Sequence, residues 1–204
     1  MNYPVIEYDV ILPENFRREE KLPLIAYLCD IPDGKVPAVF ELGCREAGVR
    51  AIVVAAKCPK GLHWENMLYE IGDMLAKAAS DYNADPDRIS LTGMGDGAYG
   101  VWYFACLNNN IISAAAPVCG GGMSWYAGSI GKTPVWAFHG SADDIIDRIN
   151  SMEMVDKVNL SGGTAKISIF PGLGHDIMNE AYTAELVKWL TSKVRGVYED
   201  EEDA

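Results

Sequence analysis

Apolar runs rich in β-branched residues, at 5–12, 22–28, 51–55, 89–92, Ala114–Val118, 133–138 and Ala165–Phe170, alternate along this chain with segments of helical period. Several of the runs hold almost no polar residue and do not alternate. A strand reads that way when both of its faces are buried, as in a parallel sheet covered by helices. The intervening segments supply those helices. Leu68, Ile71, Leu75, Ala78 and Tyr82 recur at three- and four-residue steps and give one apolar face to a helix over 66–82. Turn chemistry follows in Asp81-Tyr-Asn-Ala-Asp-Pro-Asp-Arg88. Further helices are predicted over 36–47, 97–108, 150–160 and 179–194. The fold class predicted by this order is α/β, an open and mostly parallel sheet with helices on both faces. In such sheets ligands gather at the carboxyl ends of the strands.

With 204 residues, 49% of them hydrophobic and 23% charged, the chain can bury one enzyme-sized core. One domain is expected over 1–197, followed by an acidic tail over 198–204 that contains Glu199, Asp200, Glu201, Glu202 and Asp203. The formal net charge of −12 repels phosphate backbones and anionic lipid, so neither nucleic acid nor a membrane surface is an expected partner. No run reaches the roughly 20 apolar residues of a membrane span, and the first residues lack a signal-peptide pattern, which predicts a cytoplasmic protein. Cys29, Cys44, Cys58, Cys106 and Cys119 are odd in number and contain no CxxC pair. They read as free thiols rather than a disulfide framework or a zinc site. No cofactor is expected, and the sequence does not specify an oligomeric state.

The stretch from Arg88 to Trp102, Arg-Ile-Ser-Leu-Thr-Gly-Met-Gly-Asp-Gly-Ala-Tyr-Gly-Val-Trp, runs from a strand through a glycine-rich turn into a helix. Here the sequence resembles the α/β-hydrolases, specifically the small carboxylesterase and phospholipase-like group, whose strand ends in a G-x-S-x-G nucleophile elbow. The likeness continues through Ala114-Ala-Ala-Pro-Val-Cys-Gly-Gly-Gly122, Pro134-Val-Trp-Ala-Phe-His-Gly-Ser-Ala-Asp143 and Gly172-Leu-Gly-His-Asp176. It implies the α/β-hydrolase fold and hydrolysis of carboxylic esters, lysophospholipids among them. The elbow turns so sharply that the positions two before and two after the nucleophile must be small, and Gly93 and Gly97 occupy them. The residue between them, where the family carries serine, is Gly95. A register with Asp96 as nucleophile would put Met94 and Ala98 at the tight positions and fits worse. The resemblance further implies Asp143 as the acid, 143 − 95 = 48 residues on, and His175 as the base, 175 − 143 = 32 residues beyond that. In a working triad His175 would take the serine proton while Asp143 fixed its tautomer. Gly95 offers nothing to deprotonate.

The loop after the second run departs from the family as well. It usually reads His-Gly-x-Gly and supplies an oxyanion donor, whereas this chain has Cys29-Asp30-Ile31-Pro32. Pro32 has no N–H, and the Asp30 carboxylate opposes a developing negative charge. Losing one such donor costs about 2.7–4 kcal/mol of transition-state stabilisation. The other donor is the backbone N–H of Asp96. Trp64, in Pro59-Lys-Gly-Leu-His-Trp-Glu65, is expected to line the acyl or alcohol side of the pocket, and His63 to be a surface or packing residue. Because Cys29, Asp30 and Pro32 differ from the family too, natural divergence explains Gly95 better than a deliberate replacement. Serine-type acyl transfer is therefore expected to be absent or very weak, and three readings stay open. The protein is a non-catalytic binder of an ester-like molecule or a protein; or it is a weak hydrolase using His175-activated water or a Cys29 thiolate; or Asp30, Asp96, Asp143 and His175 hold a cation, although their spacing matches no metal motif.

Overall fold

The computed structural model describes residues 4–29 and 35–198. Its strands are β1 (Glu7–Ile11), β2 (Leu24–Leu28), β3 (Ile52–Lys57), β4 (Ile89–Met94), β5 (Ala114–Val118), β6 (Val135–Gly140) and β7 (Ala165–Phe170). Its helices are α1 (Ala38–Ala47), α2 (Leu68–Tyr82), α3 (Asp96–Leu107), α4 (Ile149–Leu160), α5 (Met178–Ala181) and α6 (Ala184–Ser192). Every residue of β2, β4, β5 and β6 is buried, which is why their sequences show no alternation. They form the middle of one sheet ordered β1-β3-β2-β4-β5-β6-β7, in which only β1 runs antiparallel to its neighbour.

Two cores flank this sheet. Leu24, Ala26 and Leu28 of β2 face a cluster with Ile71 and Leu75 of α2, Trp102 and Phe104 of α3, and Met154 of α4. Ile25 and Tyr27 face the opposite cluster, with Phe40 of α1 and Leu186 and Leu190 of α6. Each fully buried side chain of this size contributes about 1.5–3 kcal/mol of transfer free energy. The predicted helix over 179–194 is broken in two. Tyr182 lies at the break with its ring buried between Phe40 and Tyr27, at centroid distances of 5.0 and 5.5 Å. Its carbonyl sits where a Cβ on Gly43 would be only 2.6 Å away, so α1 can approach only because residue 43 is glycine. Two 3-10 turns, Trp64–Asn66 and Ser124–Ile130, are too short for a periodic signature and went unpredicted. All five cysteines are free thiols, and no described helix is long and apolar enough to cross a membrane.

Candidate active site

β4 ends at Met94, and the backbone turns at Gly95 with φ 58° and ψ −120° before α3 begins. Glycine adopts this left-handed conformation without the cost a side chain carries. The turn is fixed on both sides. Gly95 N–H donates to Val118 O at 3.1 Å, and its carbonyl accepts from the Ala98 and Tyr99 amides at 3.0 and 3.2 Å. A Cβ on Gly93 would stand 2.8 Å from the Gly97 carbonyl group, and one on Gly97 would collide with Leu28 O. The small-x-x-x-small spacing read from the sequence is thus the close passage of the turn over the end of β2, with Gly95 at its apex.

The loop after β6 carries Asp143, whose side chain is fully buried. Oδ1 accepts from the Ile145 and Ile146 amides at 2.9 and 3.0 Å. Oδ2 lies 2.8 Å from His175 Nδ1 and 3.1 Å from His139 Nε2. Burial alone would raise the Asp143 pKa, but the Ile146 amide, the His175 ring and the Ile145 amide together hold it below the ordinary carboxylate value. An ionised carboxylate only accepts, so His175 Nδ1 carries the hydrogen, and in the neutral ring Nε2 is the nitrogen with the lone pair. The His175 segment is held close because Gly140 has no side chain; a Cβ there would collide with Gly174 O.

Sequence reasoning missed His139 and Ser151. His139 is wholly buried, with Nδ1 2.8 Å from Ser151 Oγ and Nε2 2.9 Å from Ile146 O. Ser151 Oγ in turn lies 2.7 Å from Gly120 O. The available signal was a lone polar residue ending an otherwise apolar strand, Val135-Trp-Ala-Phe-His-Gly140, since a buried imidazole needs partners. Ligand atoms of Cys119, His139 and Asp143 also fall within 4.8 Å of one another. Two of them already bond each other, and burial pushes the Cys119 thiol up to about 12, so the group serves as packing around the acid. It also joins the acid to the elbow, because Cys119 follows the Val118 carbonyl that holds Gly95.

The remaining expectations fare differently. Asp143 and His175 meet as expected, whereas Asp96 turns its carboxylate elsewhere, Oδ1 lying 2.9 Å from His63 Nδ1 and Oδ2 accepting the Trp64 amide at 3.3 Å. The four-residue cation cluster is therefore not assembled among the described residues; Asp30, Ile31 and Pro32 lie outside them, as do residues 199–204 of the acidic tail. Trp64 is no pocket wall. It is fully buried, its indole N–H donates to Cys29 O at 2.8 Å, and its Cβ fills the space a side chain on Gly100 would need. Cys29 is corrected as well, because burial removes water from its thiol and pushes the pKa up to about 12. Such a group holds almost no thiolate near neutrality and is a poor substitute for serine. His63 is not a bare surface residue, since its ring is paired with Asp96.

Residues 8–194 match the model of the dienelactone hydrolase family. No curated protein matches the sequence. Among solved structures, a thermostable esterase superposes with TM-score 0.82 at 24% identity over 93% of this chain, which spans 60% of that esterase's length. Esterase PE8 superposes with TM-score 0.77 at 18% identity, covering 91% of this chain and 98% of its own. Est1E from Butyrivibrio proteoclasticus gives TM-score 0.73 at 14% identity, with 92% of this chain and 93% of its own covered. Identities this low show a shared fold and nothing finer.

Proposed function

Because the chain belongs to the dienelactone hydrolase family of the α/β-hydrolase superfamily, we propose that it binds small carboxylic-ester-like molecules at the elbow and hydrolyses them only slowly, without an acyl-enzyme. The observation that carries this reading is the 2.8 Å bond between Asp143 and His175, kept beside a turn whose apex, Gly95, has no side chain. His175 Nε2 is a base with no hydroxyl from this chain to act on at position 95. The proton it takes is therefore that of water, which attacks the ester carbonyl directly. Removing the serine of a related triad lowers kcat by about 2 × 10⁶, and binding plus the remaining donors preserve roughly 10³–10⁴ over water. Hydrolysis by this route is correspondingly weak. The Asp96 amide is the remaining oxyanion donor in this reading, and the Cys29-to-Pro32 loop contributes little.

Five free thiols support a reducing, cytoplasmic setting, and the acidic balance argues against nucleic acid. The test is release of product from a short-chain activated ester by the unmodified protein and by His175→Ala. Slow turnover that falls at least about tenfold in His175→Ala, with no acyl adduct in the intact mass, is expected. Equal turnover by the two proteins contradicts the proposal.

A further inference from the structure

The site holds a second carboxylate that carries a histidine. Asp96 follows the elbow apex directly, and one of its carboxylate oxygens bonds His63 Nδ1 at 2.9 Å while the other receives the Trp64 amide at 3.3 Å. The segment that delivers His63 is pinned along its length. Cys58 Sγ bonds Leu62 O at 3.3 Å, and the Leu62 amide bonds Pro59 O at 3.0 Å. The buried Trp64 indole bonds Cys29 O at 2.8 Å, and Gly100, one turn into α3, makes room for it. These contacts fix the backbone around His63 and use only Nδ1 of its ring.

The His63 side chain is 66% exposed. An ion pair exposed to this degree adds little to stability, so the fold does not account for an imidazole here. The hydrogen bond to Asp96, and then its charge, raise the His63 pKa above the ordinary value and favour the imidazolium. With Nδ1–H committed to Asp96, Nε2 is the ring nitrogen that remains for a ligand, and in the imidazolium it is a donor. Asp96 thus holds the His63 ring beside the elbow apex.

We propose that His63 is a ligand-contacting residue of this site, whose Nε2–H donates to a carbonyl or carboxylate oxygen of the bound ester-like molecule. The inference rests on the ligand-binding reading given above. His63 supplies this donor from the segment that follows β3, where its ring is held by the residue next to the elbow apex. It also selects ligands whose recognised oxygens carry negative charge, the carboxylate product included.

The chain has three histidines, so each ring can be followed separately. The full-length protein is titrated with sodium butyrate while the ring Hε1 resonances are recorded by NMR, assigned through His63→Gln and His175→Gln. Butyrate is expected to shift the His63 and His175 signals along one common isotherm. His63→Gln, which keeps a donor for Asp96 and alters an exposed side chain, is expected to weaken butyrate binding about tenfold with the thermal midpoint unchanged. If His175 shifts while His63 stays still, or if His63→Gln binds as the unmodified protein does, the role of His63 is overturned and the ligand-binding reading stands. If neither ring shifts, the ligand-binding reading fails and takes the His63 proposal with it.

Discussion

Asp143 organises the site through both of its oxygens, satisfying two backbone amides with one and two histidines with the other. Asp143→Ala therefore orphans the Ile145 and Ile146 amides and unties His175. Water reaches the exposed Ile145 amide, so the cost comes from the part-buried Ile146 amide and the His175 ring, and urea unfolding is expected to show a loss of about 1–3 kcal/mol. The same carboxylate gives stability a pH dependence of known sign. Its folded pKa is lowered, so its contribution is complete above the unfolded value of about 3.9 and is lost as the pH falls through the folded value. Asp143→Asn is expected to flatten the acid limb of a stability–pH curve below about pH 4, and an unchanged limb would count against this assignment. The pairing of Asp143 with His175 was legible through the motifs around them, in which Gly140 is required by the close approach of the Gly174 carbonyl and Gly172 has a positive φ. The inertness of Cys29 and the burial of Trp64 were not, since both depend on α3 and β2 closing over them. His139 was visible as a residue but not as a partner, because its ligands come from segments 7 and 12 residues away.

The elbow is the element on which the site is built, and its tolerance can be measured without any ligand. Gly97→Ala drives a Cβ into Leu28 O, a backbone carbonyl that cannot retreat without disturbing the β2–β4 pairing. Overpacking of this kind costs about 1–3 kcal/mol, and a lowered thermal midpoint with weakened ligand binding is expected. An unchanged midpoint would mean that the turn is looser than described. Most elements were readable from pattern alone. β5 and β7 occupy the expected ranges, and α2 begins two residues after the predicted start at 66 and ends at Tyr82 as expected. The failures have physical causes. The helix over 179–194 divides because burying Tyr182 between α1 and β2 outweighs helical continuity. The antiparallel direction of β1 is a property of its pairing with β3, which no residue within 5–12 announces.

At the scale of the whole molecule, His63, Gly95, Asp143 and His175 follow β3, β4, β6 and β7 in the chain. In a doubly covered sheet these carboxyl ends open on one crevice, which is how residues so far apart in sequence come to serve one site. This much of the arrangement followed from the alternation of strands and helices, while the turning of Asp96 toward His63 required the folded chain. The proposed site keeps the Asp143–His175 pair and lacks a side chain at position 95, and the most direct measurement replaces that residue alone. Gly95→Ser accepts the positive φ at a strain of about 1–3 kcal/mol, as nucleophile elbows do. Assayed beside the unmodified protein on a short-chain activated ester, it is expected to raise turnover by about 100-fold or more and to trap an acyl adduct detectable by intact mass. A folded Gly95→Ser protein that neither gains turnover nor acquires the adduct would contradict the account.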